Sequence, residues 1–70
     1  MDNFRWERLL KEANSDYDNG RISRDIYELR VKDAIYNLNK IGKTDVAIRV
    51  SKAHGYYLED VISDYENKNK

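Results

Sequence analysis

The stretch that decides the fold is RDIYELRVKDAIYNLNKI, residues 24–41. At the 100° per residue of a helix, its apolar side chains fall on two faces. The broader stripe consists of Tyr27, Val31, Ala34, Ile35, Leu38 and Ile41. A second, nearly opposite stripe consists of Ile26, Leu29 and Tyr36. Because a helix that is apolar on two sides has to be covered on two sides, the pattern predicts a central helix between neighbours, either within the chain or in another chain.

Three more helices are predicted around this one, at residues 3–18, 45–54 and 57–66. A glycine follows each of the first three helical runs, where it can close the last turn with a left-handed backbone. These glycines are Gly20, Gly42 and Gly55. Asp2 or Asn3 is predicted to cap the first helix and Ser23 the central one, because their side chains accept hydrogen bonds from unpaired backbone N–H groups.

Each outer helix carries one apolar stripe, which predicts its core-facing side. The first helix has Trp6, Leu9, Leu10, Ala13 and Tyr17 on its stripe, with Phe4 projecting away. The third has Val46, Val50 and Ala53, with Ala47 and His54 beside them. The fourth has Leu58, Val61, Ile62 and Tyr65.

Residues 45–54 also fit a second secondary structure. The alternation of Val46, Ile48 and Val50 is typical of a short strand. A helix is favoured because Ala47 and its neighbours prefer helices and because the chain offers no second strand for pairing.

The expected fold is therefore all-α, a small bundle of four helices in a single domain over residues 1–66. The first two helices should form an antiparallel hairpin, because their connection is short. The last two should resemble a helix-turn-helix. The polar residues 67–70 are expected to fray.

One region resembles a known family. The residues that carry the resemblance lie within about 9–38 and are Leu10, Ala13, Tyr17, Gly20, Ile22, Ser23, Asp25 and Tyr27. They look like the SHOCT-type helical hairpin, a small module often appended to bacterial proteins. The resemblance implies a role in interaction or oligomerisation without catalysis.

The second half of the chain supports an alternative, a small DNA-binding regulator that uses residues 45–66. A small residue, Ser51, stands four positions before the turn at Gly55, as a close crossing of two helices requires. Charge argues against DNA, since residues 58–66 contain no Lys or Arg. They do contain the acids Glu59, Asp60, Asp64 and Glu66. Phosphates repel carboxylates, and base edges are usually read by Arg, Lys, Asn and Gln.

Composition argues against several other classes of function. The 70 residues contain 13 Lys and Arg, 13 Asp and Glu, one histidine and no cysteine. Lone His54 provides too little for a metal site, the glycines are too scattered to cradle a phosphate, and no serine has an adjacent base. We therefore expect no enzyme, no catalytic residue, no metal and no cofactor. Without an apolar span or a signal sequence, we expect no membrane partner and a cytoplasmic location.

The leading functional hypothesis is a non-enzymatic protein-binding module or small regulator that forms a homodimer. So short a chain buries little surface, and such chains often gain stability by association. The candidate partner-binding residues are the second stripe of the central helix, the off-stripe aromatic of the first, and two tyrosines beside the last glycine. They are Phe4, Ile26, Leu29, Tyr36, Tyr56 and Tyr57.

Overall fold

The computed structural model describes residues 3–68, and this part of the chain is all-α, with 79% of its residues in helices and no strand. The helices are α1 (Arg5–Asp18), α2 (Arg24–Lys40), α3 (Thr44–Ala53) and α4 (Leu58–Lys68). The predicted fold class is confirmed. Residues 45–54 belong to a helix, and the strand alternative for them is wrong.

The helices end where the glycines predict. At the end of α1, Arg21 N–H donates to the carbonyl of Asp16 at 2.8 Å and Gly20 N–H to that of Tyr17 at 3.0 Å. This Schellman pattern needs a left-handed residue, and Gly20 has a φ of 71°. The same pair of hydrogen bonds closes α2 at Gly42 and α3 at Gly55. Three successive helices therefore share one stop signal.

The helix starts follow the sequence less closely. Ser23 caps α2 as predicted, since its Oγ accepts a hydrogen bond from Ile26 N–H at 3.3 Å. The predicted cap of α1 is wrong for Asn3, because the first helical hydrogen bond runs from Arg8 N–H to the carbonyl of Phe4. Phe4 therefore occupies the capping position, without a side-chain hydrogen bond. Asp2 lies outside the described residues.

The structure also differs from the prediction at both ends of the last helix. Helix α4 begins at Leu58 and continues through Asn67 and Lys68, which were expected to fray. A lysine in the last turn interacts favourably with the helix dipole, which is consistent with this extension. Residues 69 and 70 lie outside the described part of the chain.

The chain divides into two compact units, Met1–Ala34 and Ile35–Lys70, with the boundary inside α2. The first unit is the hairpin of α1 with the amino-terminal part of α2. Its buried side chains are Ala13, Val31 and Ala34. Leu9 and Tyr17, predicted for the core, are 36% and 38% exposed. The single domain predicted over 1–66 stays a prediction.

The second unit contains the end of α2 together with α3 and α4. Its buried residues are Ile35, Leu38, Ala47, Ser51 and Val61. Burying a side chain as large as Ile35 or Leu38 contributes about 1.5–3 kcal/mol. The prediction of Ile41 as core is wrong, because α2 ends at Lys40 and Ile41 is 53% exposed in the connection that follows. Ala53 is also exposed, since the buried side of α3 is centred on Ala47 and Ser51.

Candidate interaction surfaces

An apolar groove of about 420 Å³ lies between α3 and α4. Its lining comes from both helices and from the connection between them, and consists of Ile48, Ser51, Lys52, Tyr56, Tyr57, Leu58, Glu59 and Ile62. We call this the α3–α4 groove. Two of the six predicted partner-binding residues, Tyr56 and Tyr57, lie in it.

The buried side of α3 consists of small residues. Ala47 and Ser51 are almost completely buried, and the Ser51 hydroxyl donates to the Ala47 carbonyl at 2.7 Å within α3. That bond satisfies the buried hydroxyl without help from α4. The larger Ile48, one residue beyond Ala47, is left 41% exposed along the groove.

The connection after Gly55 brings the two tyrosines to the groove. Tyr56 N–H donates to the carbonyl of Ser51 at 2.8 Å, and this bond fixes the backbone as it leaves α3. Tyr56 is half-buried, and its ring lies beside the ring of His54. Tyr57 is 71% exposed, a high value for a large aromatic side chain in contact with apolar residues.

The first unit presents a different surface. Ile26 and Leu29 stand three residues apart on α2, 43% and 49% exposed. We call this pair the α2 outer face. Arg30, one turn after Ile26, donates to Asp16 of α1 at 3.3 Å. A smaller cavity of about 190 Å³ in the same unit is lined by Trp6, Leu9, Glu12, Arg30 and Asp33.

The second apolar stripe of the central helix therefore divides in two. Tyr36 is covered from within the chain, because its ring stacks on Tyr65 of α4 with 4.8 Å between centroids. Ile26 and Leu29 keep about half of their surface in solvent. The chain itself therefore covers Tyr36 of this stripe, but it leaves Ile26 and Leu29 exposed.

Phe4, the remaining candidate, is 66% exposed at the start of α1. The structure thus places Tyr56 with Tyr57, and Ile26 with Leu29, while Phe4 stands apart from both pairs in the sequence. Six groove residues were not among the predicted partner-binding residues: Ile48, Ser51, Lys52, Leu58, Glu59 and Ile62. The strand-like alternation of Val46, Ile48 and Val50 was the available signal, because it shows that α3 has an apolar residue off its main stripe.

Aromatic and polar contacts close the α1–α2 hairpin near its turn. The rings of Tyr17 and Tyr27 stack with 4.5 Å between centroids, and the Tyr27 hydroxyl donates to Asn14 Oδ1. Partial burial raises the pKa of Tyr27 above its ordinary value of 10.0, and the charge of Asp18 and the neighbouring Tyr17 raise it further. Asp16 accepts from Arg21 through one oxygen and from Arg30 through the other, each at 3.3 Å.

Residues 3–68 contain neither a membrane-spanning helix nor a cluster of metal ligands. No helix there is both long and apolar enough to cross a bilayer. No cluster of three or more His, Asp or Glu side chains in that range is arranged to hold a metal ion.

Comparison of the chain with protein-family models, with curated proteins and with solved structures found no match.

Proposed function

We propose that this chain is a non-enzymatic protein-interaction module that associates with itself, and that it acts in the cytoplasm. The observation that carries the proposal is that, among residues 3–68, five large apolar side chains of the first unit and three of the second are exposed, and four of these eight form two local pairs. The pairs are Ile26 and Leu29 in the first unit, and Ile48 and Tyr57 in the second.

Association would remove these side chains from water. A single exposed apolar residue is normal on a protein surface. Here four of the exposed residues occur in two pairs, in a chain of which 37% is charged. Apolar surface contributes about 25 cal/mol for each Å² that is buried, so two such pairs favour a bound state. The SHOCT-like pattern within residues 9–38 supports the same proposal, because it implies interaction or oligomerisation.

Sedimentation velocity of the full chain over a range of concentrations tests this function. We expect a species with the mass of a homodimer that dissociates on dilution. Nuclease treatment beforehand separates protein association from bridging by nucleic acid. A folded chain that remains a monomer at every concentration would contradict the proposal.

The DNA-binding alternative keeps one supporting observation, the buried Ser51 followed by the turn at Gly55. The charge of α4 argues against it, because the helix carries four acids and, among its residues, only Lys68 is basic. This function predicts binding to duplex DNA that weakens steeply as salt is added. Absence of a gel shift at low salt would remove it.

A further inference from the structure

We propose that self-association is a two-fold symmetric dimer in which the α3–α4 groove of one copy packs against the same groove of a second copy. The inference rests on the proposed function and specifies its surface. It assigns Ile48 and Tyr57 as apolar anchors, and Lys52 and Glu59 as the charges that set the alignment.

A two-fold interface requires a patch that complements itself, because each residue that contacts its partner's surface is repeated on the other side of the axis. The groove has this property. Its α3 side carries one cation, Lys52, and its α4 side carries one carboxylate, Glu59. Both side chains are exposed, and within residues 3–68 neither takes part in an ion pair.

These two charges select one alignment of the copies. A two-fold axis that runs along the groove places the α3 side of each copy over the α4 side of the other. Lys52 then faces the partner's Glu59, and the pair occurs twice. An axis across the groove would instead place α3 over α3 and bring like charges together, which is unfavourable.

The apolar residues contribute area to such a contact. A stable interface of standard size buries about 800 Å² on each partner, or about a sixth of the chain's 5160 Å². Tyr57 and Ile48 start 71% and 41% exposed, so both have surface to lose. Tyrosine is enriched among the residues that dominate binding energy.

The α2 outer face lacks this electrostatic arrangement. Two cations beside it in the sequence are already paired within the same unit, Arg30 with Asp16 and Arg24 with Glu28. A second copy placed there would meet two aliphatic side chains next to charges that are partly neutralised. The two surfaces are similarly exposed. The α3–α4 groove differs from the α2 outer face because it carries a cation and a carboxylate that form no ion pair within residues 3–68 and can complement a second copy.

Charge reversal tests the alignment. In either single variant, Lys52→Glu or Glu59→Lys, both symmetric contacts become repulsive, and we expect the dissociation constant to rise about tenfold. An equimolar mixture of the two variants restores opposite charges at both contacts, so the mixture should dimerise with close to wild-type affinity. Sedimentation of each variant and of the mixture measures this, and circular dichroism confirms that each variant is folded.

The chain offers matched controls for both parts of the proposal. Arg49→Glu and Asp60→Lys reverse exposed charges on the same two helices but outside the groove lining, so they should leave dimerisation unchanged, singly or mixed. Ile48→Asp should abolish the dimer. Ile26→Asp, the same change at a residue with almost the same exposure, should leave it intact.

Three outcomes decide between the two proposals. Restored dimerisation in the Lys52→Glu and Glu59→Lys mixture, together with loss in Ile48→Asp, supports the groove dimer. A wild-type dimer that is insensitive to these changes and disrupted by Ile26→Asp overturns the groove dimer and leaves the proposed function standing. A wild-type monomer overturns both.

Discussion

The hairpins α1–α2 and α3–α4 end their first helices with the same hydrogen bonds at a glycine, yet they use their tyrosines differently. Tyr17 stands three residues before Gly20, inside α1, and stacks on Tyr27 across the hairpin. Tyr56 and Tyr57 directly follow Gly55, outside either helix, and line an open groove. One hairpin is closed by aromatic rings near its turn, and the other leaves the ring of Tyr57 exposed.

The difference shows that position relative to the stop signal decides the role of an aromatic residue here. Inside the helix, the 3.6-residue period points a tyrosine at the neighbouring helix. In the connection after the glycine, no helical period sets the direction of a side chain, so the position of the ring depends on the local backbone conformation. Substitutions on both hairpins test this comparison.

The largest effect should come from Ser51→Leu, which tests whether small residues hold α3 and α4 together. The side chain is 1% exposed, so three extra carbons must displace its neighbours or enter the α3–α4 groove, and we expect the free energy of unfolding to fall by about 3 kcal/mol. Urea denaturation measures it. Ser63→Leu, at an exposed position of α4, is the control and should change little. Equal stability of the two variants would mean that this crossing is not tightly packed.

The same substitution at two tyrosines compares the hairpins directly. Tyr27→Ala removes a ring stack and a hydrogen bond, and should lower the free energy of unfolding by about 2 kcal/mol. Tyr57→Ala removes a ring that is 71% exposed and should cost less than about 0.5 kcal/mol. Its effect should appear in the dimer dissociation constant instead. Similar losses of stability in thermal melts of both variants would break the comparison.

Tyr27→Phe keeps the ring stack and removes only the hydroxyl. We expect a loss of about 1 kcal/mol, the usual contribution of a hydrogen bond, because Asn14 loses its donor. Asn14→Ala should give a similar loss, and adding it to Tyr27→Phe should cost little more. If the two losses add in full, the residues do not act through this bond.

The same variant isolates a dependence on pH. The pKa of Tyr27 is raised in the folded chain, mainly by burial, so on raising the pH above 10.0 the unfolded chain loses this proton first. As the pH rises from the pKa of Tyr27 in the unfolded chain to its higher pKa in the folded chain, the free energy of unfolding should decrease. Below that range, the contribution of this group to stability should not change with pH. Tyr27→Phe should make the decrease shallower. An unchanged slope in urea titrations above pH 10 would show that Tyr27 does not contribute.

The smallest effect should follow Asp16→Asn. Asp16 joins Arg21 after the turn to Arg30 of α2, but both arginines are at least half exposed, so we expect a loss of about 0.5 kcal/mol. The loss should shrink in high salt, which screens exposed charges. Asp64→Asn, at an exposed position of α4, should have no effect on stability in low or high salt. A loss that is independent of salt would point to a hydrogen bond rather than to charge.

Sequence alone predicts the helices well, because their stop signals are local. Gly20 and Ser23 act on residues within one turn of themselves, so the end of α1 and the start of α2 are predictable. Ile41 was misplaced because its apolar character fits the stripe although the helix ends one residue earlier. Local signals thus give the number, type and ends of the elements, whereas the apolar stripe alone extends the helix past its last turn.

The candidate surfaces were predicted less completely for a different reason. The buried side of α3 rests on Ser51, a polar residue whose hydroxyl bonds to its own helix, and hydrophobic patterns do not register such a residue. With that side misjudged, the exposure of Ile48 and the groove were not predicted, although the position of Ile48 off the α3 stripe was an available signal. Tyr57 was selected because two adjacent tyrosines at a turn have no helical explanation, and the structure shows its side chain 71% exposed along the groove.

The left-handed glycines have a further consequence for chemical synthesis of the chain. An ordinary side-chain carbon built on Gly20 or Gly55 meets no heavy atom within 4 Å, so the cost of L-alanine there comes from the backbone alone, about 1–2 kcal/mol. D-alanine has the mirror-image backbone preference and adopts a positive φ without strain. It should therefore reverse the sign of the effect and stabilise the fold by restricting the unfolded chain. In 70 residues, chirality at two such places would become an adjustable source of stability that leaves every other side chain unchanged.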